Sequence, residues 1–402
     1  MILPVWWEEP DIPVVSGSFV VPFIPSSWLG CAWQIHHKNG NIHTIRCASP
    51  DRVITAPNRL HLDAKDSEVI EASVELHHIL RDAFPWLSPK LGRMGGYSSH
   101  FAGAIAKKVR PSFGRLPELL AKKGMIGSRS QVFEKSGEGS LVEYDIPSAF
   151  PTAALGRLPA GTPYFVPVDS SPSAHHIDMV EVSGILESEH GVLPIREDGD
   201  ISYPGYRYYL KQWYFAEEVN AALEFCDTVD KFVIHRRLRF RAHTVARGIM
   251  SRLIALRHNH PEHQKSIKMI SNMIIGMFAF TGARSVIFTP KSSDDIRRGD
   301  WLLDMEANLW GRKVSVEKKP HTYRPFVASY IWSKARIALL EAIYSTERPV
   351  SCHVDGILAH AQAVAPLGTR AKKSYDGVSF ECPWRGALYI NGEREKAPGV
   401  KR

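Results

Sequence analysis

The chain has 402 residues, 44% hydrophobic and 23% charged, a composition that excludes a disordered or fibrous protein. Fifty lysines and arginines against 42 acidic residues leave a net charge of +8, which is typical of proteins that bind a polyanion such as nucleic acid or an acidic membrane surface. The five cysteines form no Cys-x-x-Cys pair, and no run of 18 apolar residues occurs, so we expect a cytoplasmic protein with reduced thiols and no membrane span.

The first 140 residues are typical of a small α/β domain. Two strands are predicted around Asn39-Gly40, and a helix is predicted near Ser67 to Phe84. The glycine-rich segment 124–139 marks a boundary. Five residues near the strand pair suggest zinc, but their spacing matches no standard ligand pattern and a strand pair explains it better: Cys31, His36, His37, His43 and Cys47.

The rest of the chain alternates strands and helices. The predicted elements are, in chain order, a strand at 141–146, a proline-rich turn region at 151–172, strands near 177–195, an amphipathic helix from Arg207 to Phe225, a helical hairpin of 243–258 and 263–280, a strand pair within 284–324, a helix at 327–345 and a strand pair at 349–361.

The segment EYDIPSAFP places Asp145 at the end of an apolar strand, just before a turn that Pro147 imposes. A carboxylate at a strand end, beside free backbone carbonyls, suits a hard divalent cation. The alternative is an aspartate that only caps a following helix.

The segment PVSCHVDGILAH contains two strand-like runs around Asp355-Gly356, a strong hairpin signal. The pattern predicts Asp355 at the tip of the hairpin. The alternative is a turn with no further role.

The helix KSIKMISNMIIGMFAF has two distinct sides. Lys268, Asn272, Ile275 and Gly276 fall within about 100° of one another. The opposite side is apolar and consists of Ile270, Met273, Ile274 and Met277. We predict that one side is buried and that the other binds a ligand, the alternative being a lysine that is merely solvated.

In this order, the three segments resemble motifs A (DxxSLYP), B (KxxxNSxYG) and C (YxDTDS) of family B DNA polymerases. Flanking segments at 127–151, 205–225 and 324–343 resemble the protein-primed branch, and the resemblance covers roughly residues 124 to 392. It implies an α+β right-hand polymerase with palm, fingers and a short thumb, behind a small α/β N-terminal domain. The expected boundaries are 1–140 for the N-terminal domain, 141–235 for the palm with an insertion, 236–280 for the fingers hairpin, 281–370 for the palm with motif C, and 371–402 for the thumb.

The same resemblance implies the residues that hold the metals. Asp145 and Asp355, with the carbonyl of Ile146, would hold two Mg²⁺ ions, with Mn²⁺ as a substitute. Phe150 occupies the position of the motif A tyrosine, which packs on the sugar and favours deoxynucleotides. The other residues assigned to the nucleotide are Arg257, Lys265, Lys268, Asn272 and Gly276, and those assigned to primer and DNA are Tyr389, Arg129 and Arg336.

The sequence departs from the motifs at several positions. His353 replaces the first aspartate of DTD, Met273 and Ile275 replace the serine and tyrosine of motif B, and Met125 replaces the tyrosine of a YxGG-like element. Ala387 replaces the lysine of the KxY element that is expected to grip the primer at Tyr389. These departures favour a second interpretation, a catalytically degenerate, polymerase-derived DNA-binding protein. A third interpretation is a basic structural protein unrelated to polymerases.

The predicted N-terminal domain is short for a proofreading exonuclease. Its one Asp-x-Glu spacing, Asp66 and Glu68, opens a helix, where acids usually stabilise the dipole. We therefore expect a template-directed DNA polymerase without proofreading, encoded by a phage or mobile element. Its expected partners are primer-template DNA, deoxynucleoside triphosphates and a terminal priming protein, with no membrane.

Overall fold

The computed structural model describes the backbone of residues 2–5, 19–22, 32–36, 42–46, 66–87, 94–109, 126–197, 200–280, 285–290, 301–304, 309–314 and 320–396. Side chains are described for residues 75–87, 97–109, 126–196, 201–209, 211–280 and 320–396. In this part of the chain, no helix combines the length and apolar character needed to cross a membrane.

The described helices are α1 (Asp66–Ala83), α2 (Met94–Val109), α3 (Ala149–Ala153), α4 (Ala216–Glu224), α5 (Arg247–Asn259), α6 (Gln264–Ala279) and α7 (Pro325–Tyr344), with a 3₁₀ turn at Pro261–His263. The described strands are β1 (Ile2–Val5), β2 (Phe19–Pro22), β3 (Ala32–His36), β4 (Ile42–Arg46), β5 (Arg129–Val132), β6 (Ser136–Asp145), β7 (Leu158–Val166), β8 (His176–Glu187), β9 (Ile195–Glu197), β10 (Asp200–Ser202), β11 (Tyr206–Phe215), β12 (Thr228–His243), β13 (Ser285–Pro290), β14 (Trp301–Asp304), β15 (Leu309–Val314), β16 (Pro349–Val354), β17 (Gly356–His360), β18 (Arg370–Glu381), β19 (Leu388–Ile390) and β20 (Glu393–Lys396).

The chain divides into two compact units. Unit 1 comprises Met1–Ala106 and Ser251–Tyr323. Its helices pack through apolar side chains, with the rings of Phe84 and Phe101 4.7 Å apart in an edge-to-face contact. The hydroxyl of Ser98 donates a 3.2 Å hydrogen bond to the carbonyl oxygen of Ile270 on α6. Its largest described sheet is antiparallel, in the order β13–β15–β14.

Unit 2 comprises Lys107–Met250 and Arg324–Arg402. Its largest sheet has seven strands in the order β20–β19–β18–β6–β17–β16–β5, and neighbouring strands are antiparallel. A second sheet has the order β11–β8–β12–β7. The central position of β6 in the larger sheet gives its last residues a strand on either side.

Helix α7 covers one face of the seven-stranded sheet. Leu339 of α7 packs with Tyr144 of β6 and Ile357 of β17. The other face has its own apolar cluster, which includes Leu141 of β6 and Leu358 of β17. Side chains on each strand therefore alternate between a face covered by α7 and a face without it.

Several predicted elements are confirmed. β3 and β4 pair antiparallel on either side of Asn39-Gly40, although the cysteine and histidine side chains near them lie outside the described residues. α1 matches the predicted helix near 67–84. The helical hairpin is present as α5 and α6, the helix at 327–345 as α7, and the strand pair at 349–361 as β16 and β17.

The helix predicted from Arg207 to Phe225 is wrong over its first half. β11 runs to Phe215, and only Ala216–Glu224 is helical. The segment YRYYLKQWYF is rich in aromatic residues, which favour strands. A bulge between Tyr209 and Gln212, with Lys211 at a φ of 46°, breaks the alternation that would identify a strand in the sequence.

Other expectations about the elements are also corrected. The predicted turn region 151–172 contains β7, and the range 284–324 contains three strands instead of one pair. Residues 371–396 lie mostly in β18, β19 and β20 of the large sheet, whereas the sequence predicted a thumb from 371. The two units divide the chain at positions different from the boundaries of the five predicted domains, which stay a prediction.

Candidate active site at the end of the central strands

Asp145 is the last residue of β6, the strand at the centre of the site. In Cα register it faces Gly356 of β17 on one side and Arg370 of β18 on the other. Because side chains alternate along a strand, Asp145 shares its face with Glu143 and Leu141, the face that α7 does not cover. Asp145 is half-buried.

The hairpin between β16 and β17 delivers Asp355. The amide of Asp355 donates a 2.9 Å hydrogen bond to the carbonyl of His353, closing a γ-turn around Val354, whose φ is 62°. A β-branched residue at positive φ is strained, and such strain concentrates at functional sites. Asp355 lies at the tip as predicted, but the turn is one residue earlier than expected, because Gly356 already pairs within β17.

Backbone contacts fix the tip of this hairpin beside β6. The amide of Ile146, directly after Asp145, donates a 2.8 Å hydrogen bond to the carbonyl oxygen of Asp355. A Cβ atom on Gly356 would approach the carbonyl oxygen of Tyr144 to 3.2 Å, so glycine allows close approach of the two strands. The two aspartates therefore lie at the same end of neighbouring strands.

Glu143 and two lysines lie beside the aspartates. Glu143 is buried and forms ion pairs with Lys372 Nζ at 3.0 Å and Lys396 Nζ at 2.5 Å. Burial alone would raise the pKa of Glu143, but the hydrogen bonds from both lysines outweigh burial and lower it. The hydrogen bond to Glu143 raises the pKa of Lys372, and the charges of Asp145 and Asp355 raise it further. The carboxylates of Glu143, Asp145 and Asp355 thus all raise the pKa of Lys372.

His353 occupies the position where the family motif has an additional aspartate. Its Nδ1 lies 3.0 Å from the hydroxyl of Ser130. Burial and the nearby charge of Lys396 lower the pKa of His353, so the ring is neutral near pH 7. The tip therefore contributes one carboxylate instead of two.

The donor set fits divalent cations. Asp145 and Asp355 offer carboxylate oxygens, and Ile146 adds a carbonyl between them in the chain. Mg²⁺ in nucleotidyl-transfer sites is commonly held by one or two carboxylates, with the remaining positions filled by water and substrate phosphates. Two acids and one carbonyl meet that requirement.

Helix α6 of unit 1 presents the polar stripe that the sequence predicted. Lys265, Lys268, Asn272 and Gly276 are exposed. A Cβ atom on Gly276 would meet no described atom within 4 Å. On the opposite side Ile270 and Ile274 are fully buried, but Ile275, predicted on the polar side, is buried too. Arg257, on α5, is half-buried.

Two further predicted residues lie in unit 2. Phe150 lies on α3 and packs, partly buried, against the cluster that joins α7 to the sheet. Tyr389 lies on β19, half-buried, with its ring 6.3 Å from that of Trp384.

Arg336 and Arg129, which the sequence analysis assigned to DNA, are both buried, and their burial argues against that assignment. Arg336 is 4% exposed and forms a two-pronged ion pair with Glu218 at 2.6 and 2.8 Å, and it also donates to the carbonyls of Ile126 and Gly127. A guanidinium that is buried and bonded in this way holds the protein together and does not reach a phosphate.

Arg129 is likewise buried, at 1% exposure. It donates to the side chain of Gln131 and the carbonyl of His190, and its guanidinium carbon lies 4.5 Å from the centre of the Tyr203 ring. Both arginines have a structural role because they are buried against partners distant in the chain, Glu218 for Arg336 and His190 for Arg129. The sequence alone does not reveal such partners.

A Lys-x-Tyr spacing that the sequence analysis missed occurs in β18. Lys373 and Tyr375 stand in RAKKSYDG, with Lys373 Nζ 4.7 Å from the centre of the Tyr375 ring. In the register of the sheet, Lys373 faces Glu143. Lys373 and Tyr375 retain the lysine that the segment around Tyr389 lacks. The Lys-x-Tyr spacing in the sequence could have identified this pair.

The comparisons with known proteins agree with this fold. No protein-family model and no curated protein sequence matches the chain. The structure is similar to that of Phi29 DNA polymerase complexed with primer-template DNA and incoming nucleotide substrates, with a TM-score of 0.61 and 14% identity over 86% of this chain and 67% of that one. It is also similar to the post-translocation binary complex of that polymerase with primer-template DNA, with a TM-score of 0.60 and 15% identity over 86% of this chain and 67% of that one.

A third comparison gives the same result. The complex of Phi29 DNA polymerase with single-stranded DNA has a TM-score of 0.58 and 14% identity, covering 85% of this chain and 63% of that one. The chain thus spans about two thirds of the length of these structures and has their fold. The predicted polymerase fold is thus supported by these structures, whereas membership of family B, the protein-primed branch and the absence of an exonuclease stay predictions.

Proposed function

We propose that the protein is a template-directed DNA polymerase that adds deoxynucleotides to a primer 3′-hydroxyl. One observation carries the proposal: Asp145 and Asp355 lie at the same end of adjacent strands, joined by the hydrogen bond from Ile146 to Asp355, in a chain with a polymerase fold. Two neighbouring carboxylates can hold the metal ions that two-metal nucleotidyl transfer uses.

In this proposal, Asp145, Asp355 and the carbonyl of Ile146 hold two Mg²⁺ ions. When bound, these ions supply charge neutralisation at the triphosphate and a lower pKa for the primer hydroxyl. The protein itself positions the two carboxylates: the γ-turn places Asp355 and the end of β6 places Asp145 before substrate binds. Lys372, tied to Glu143, limits the net negative charge around them.

The exposed stripe of α6 is proposed to bind the incoming nucleotide. Lys268 and Lys265 are available cations for the triphosphate, and Arg257 on the preceding helix assists. Asn272 and Gly276 continue the same stripe, where the absence of a side chain on Gly276 leaves space for a ligand.

The residues proposed to recognise sugar and primer come from unit 2. Phe150 is proposed to pack against the sugar and disfavour a 2′-hydroxyl. Lys373, whose side chain is half-exposed, is proposed to grip the primer end together with Tyr389. Tyr375 is buried and is proposed only to support the lysine, which lies over its ring. Arg129 and Arg336 take no part, because they are buried.

The biological setting is part of the proposal. Replication of a phage or mobile element in a bacterial cytoplasm, with a terminal protein as primer, suits a compact polymerase. Absence of proofreading is also proposed, because Asp66 and Glu68, the one acid pair considered for it, stand at the start of α1, where acids commonly stabilise the helix dipole. Their side chains lie outside the described residues.

The test is primer extension on a short primed template with Mg²⁺ and deoxynucleoside triphosphates. Extension that depends on template sequence and on Mg²⁺ supports the proposal. Tight binding to primer-template without extension from a DNA, RNA or protein primer would favour the degenerate DNA-binding protein. Binding alone does not distinguish the two, because salt-sensitive binding is expected of both.

A further inference from the structure

A histidine whose ring nitrogens lack hydrogen-bond partners lies close to two carboxylates in unit 1. His263 ends the 3₁₀ turn between α5 and α6, and its side chain is 1% exposed. Neither ring nitrogen has a hydrogen-bond partner among the described residues. A buried imidazole without partners is costly, so its environment calls for a ligand.

Oxygen atoms of Glu75 and Glu262 lie close to this ring. One ligand atom each from Glu75, Glu262 and His263 falls within 4.8 Å of the other two. His263 Nε2 is 3.2 Å from Glu75 Oε2, yet the direction does not suit a hydrogen bond. Two potential ligand atoms that lie close together without a hydrogen bond between them are compatible with a cation bound by both.

The spacing also fits a shared metal. Neighbouring ligands at about 2.0–2.1 Å from a tetrahedral Zn²⁺ are about 3.3 Å apart. The 3.2 Å separation of Nε2 and Oε2 agrees with that value. Imidazole with carboxylates is a donor set suited to first-row transition metals such as Zn²⁺.

A second histidine supports the same arrangement. His260 Nδ1 lies 3.1 Å from Glu262 Oε1. Carboxylates that bind metals are commonly held by such an additional hydrogen bond. All these residues of the turn belong to the tract HNHPEH, and short histidine-rich tracts are a known pattern of metal binding.

We propose that Glu75, Glu262 and His263 form a Zn²⁺-type site that ties α1 to the turn between α5 and α6. α6 begins at Gln264, directly after His263, so an occupied site fixes the start of the helix that carries Lys268 and Asn272. The three ligands come from unit 1, and the site is independent of the proposed polymerase activity.

The test measures zinc retained by the full-length chain. Purified protein is loaded with Zn²⁺, dialysed against buffer that contains millimolar Mg²⁺, and assayed by mass spectrometry for Zn²⁺ per chain. The same measurement on Asp145→Asn/Asp355→Asn excludes a contribution from the acids of unit 2. We expect wild type and this double variant each to retain one Zn²⁺ per chain.

Three variants test the ligands. Glu75→Gln and Glu262→Gln change exposed side chains and keep their size, and His263→Ala removes the imidazole. Each is expected to weaken Zn²⁺ binding by about 100-fold or more. His175→Ala, an exposed histidine of unit 2, should retain zinc like wild type.

The two glutamine variants decide the result even if His263→Ala fails to fold, which circular dichroism would show. Glutamine variants that retain as much Zn²⁺ as wild type would overturn the proposal, as would a wild-type protein that retains none. Retention in wild type and loss in Glu75→Gln and Glu262→Gln would establish the site.

Discussion

The amide of Ile146 donates a 2.8 Å hydrogen bond to the carbonyl oxygen of Asp355. This bond joins the residue after one candidate metal ligand to the backbone of the other. The relative position of Asp145 and Asp355 is therefore set by the main chain and by the sheet register, Gly356 opposite Asp145. Such positioning does not depend on flexible side-chain contacts, which is what a preorganised site requires.

The positive φ of Val354 in the γ-turn predicts that the backbone there is strained. Val354 has a φ of 62°, a region that a β-branched valine adopts at a higher energetic cost than asparagine does. Val354→Asn should raise the free energy of unfolding by about 1 kcal/mol, measured by urea denaturation. Val364→Asn, at a valine that is 76% exposed, should have almost no effect. Equal stability of wild type and Val354→Asn would show that the turn is not strained.

A buried ion pair in the four-stranded sheet should make stability depend on pH. Asp178 is bound by Arg239 at 2.8 Å and by Arg237 at 3.0 Å. Burial alone would raise the pKa of Asp178, but hydrogen bonds from Arg239 and Arg237 outweigh burial and lower it. The folded carboxylate thus holds its proton more weakly than the unfolded one, so the pair stabilises the fold above about pH 4 and loses this effect as the pH falls further.

Asp178→Asn should therefore cost about 3–5 kcal/mol of unfolding free energy at pH 7, because it leaves two arginines without their charge partner. The difference from wild type should shrink as the pH falls below 4. Chemical denaturation at a series of pH values measures this, with the exposed Asp169→Asn as the control. A difference that stays constant down to pH 2 would contradict the assigned cause.

The corrected role of Arg336 can be tested by a double replacement. Arg336→Met leaves Glu218 buried and unpaired and should cost about 3–5 kcal/mol of unfolding free energy. Replacing both partners, as Arg336→Met with Glu218→Leu, should recover most of that loss, since no charge then stays buried alone. Weaker DNA binding by Arg336→Met at unchanged stability would restore the original assignment of Arg336 to DNA.

The proposed nucleotide-binding role of the exposed polar stripe on α6 predicts a change in KM when Lys268 is replaced. Lys268→Ala should raise KM for deoxynucleoside triphosphates by about 10- to 100-fold, because it removes one charge-assisted contact to phosphate. Lys108→Ala, an exposed lysine on α2, should leave KM unchanged. Steady-state primer extension over a range of nucleotide concentrations provides the measurement. An unaltered KM in Lys268→Ala would remove α6 from the proposed nucleotide site.

Local sequence signals predicted the main features of the site. The apolar run before Asp145 and the dipeptide Asp355-Gly356 correctly predicted a strand end and a hairpin tip, because both depend on residues adjacent in the chain. The turn nevertheless differed by one residue. The position of the turn depends on strand pairing, in which Gly356 lies opposite Asp145. No residue next to the turn in the sequence indicates this pairing.

Long-range partners explain the remaining errors. Arg336 pairs with Glu218, 118 residues earlier in the chain, so no local signal predicts its burial. The ion pair of Glu143 with Lys372 joins β6 to β18 in the same way and was not predicted. The segment Arg207 to Phe225 was assigned to a helix because apolar spacing resembled one, whereas a bulge at Lys211 had altered the period of a strand.

The most direct test of the central claim is primer extension by wild type, Asp145→Asn and Asp355→Asn, with Asp376→Asn, an exposed acid of β18, as the matched control. Each asparagine keeps the size of the side chain and removes its charge. We predict that wild type and Asp376→Asn extend the primer and that either site variant loses about 10³-fold or more in rate while still binding DNA. Extension by Asp145→Asn or Asp355→Asn at the wild-type rate would contradict the assignment of the active site.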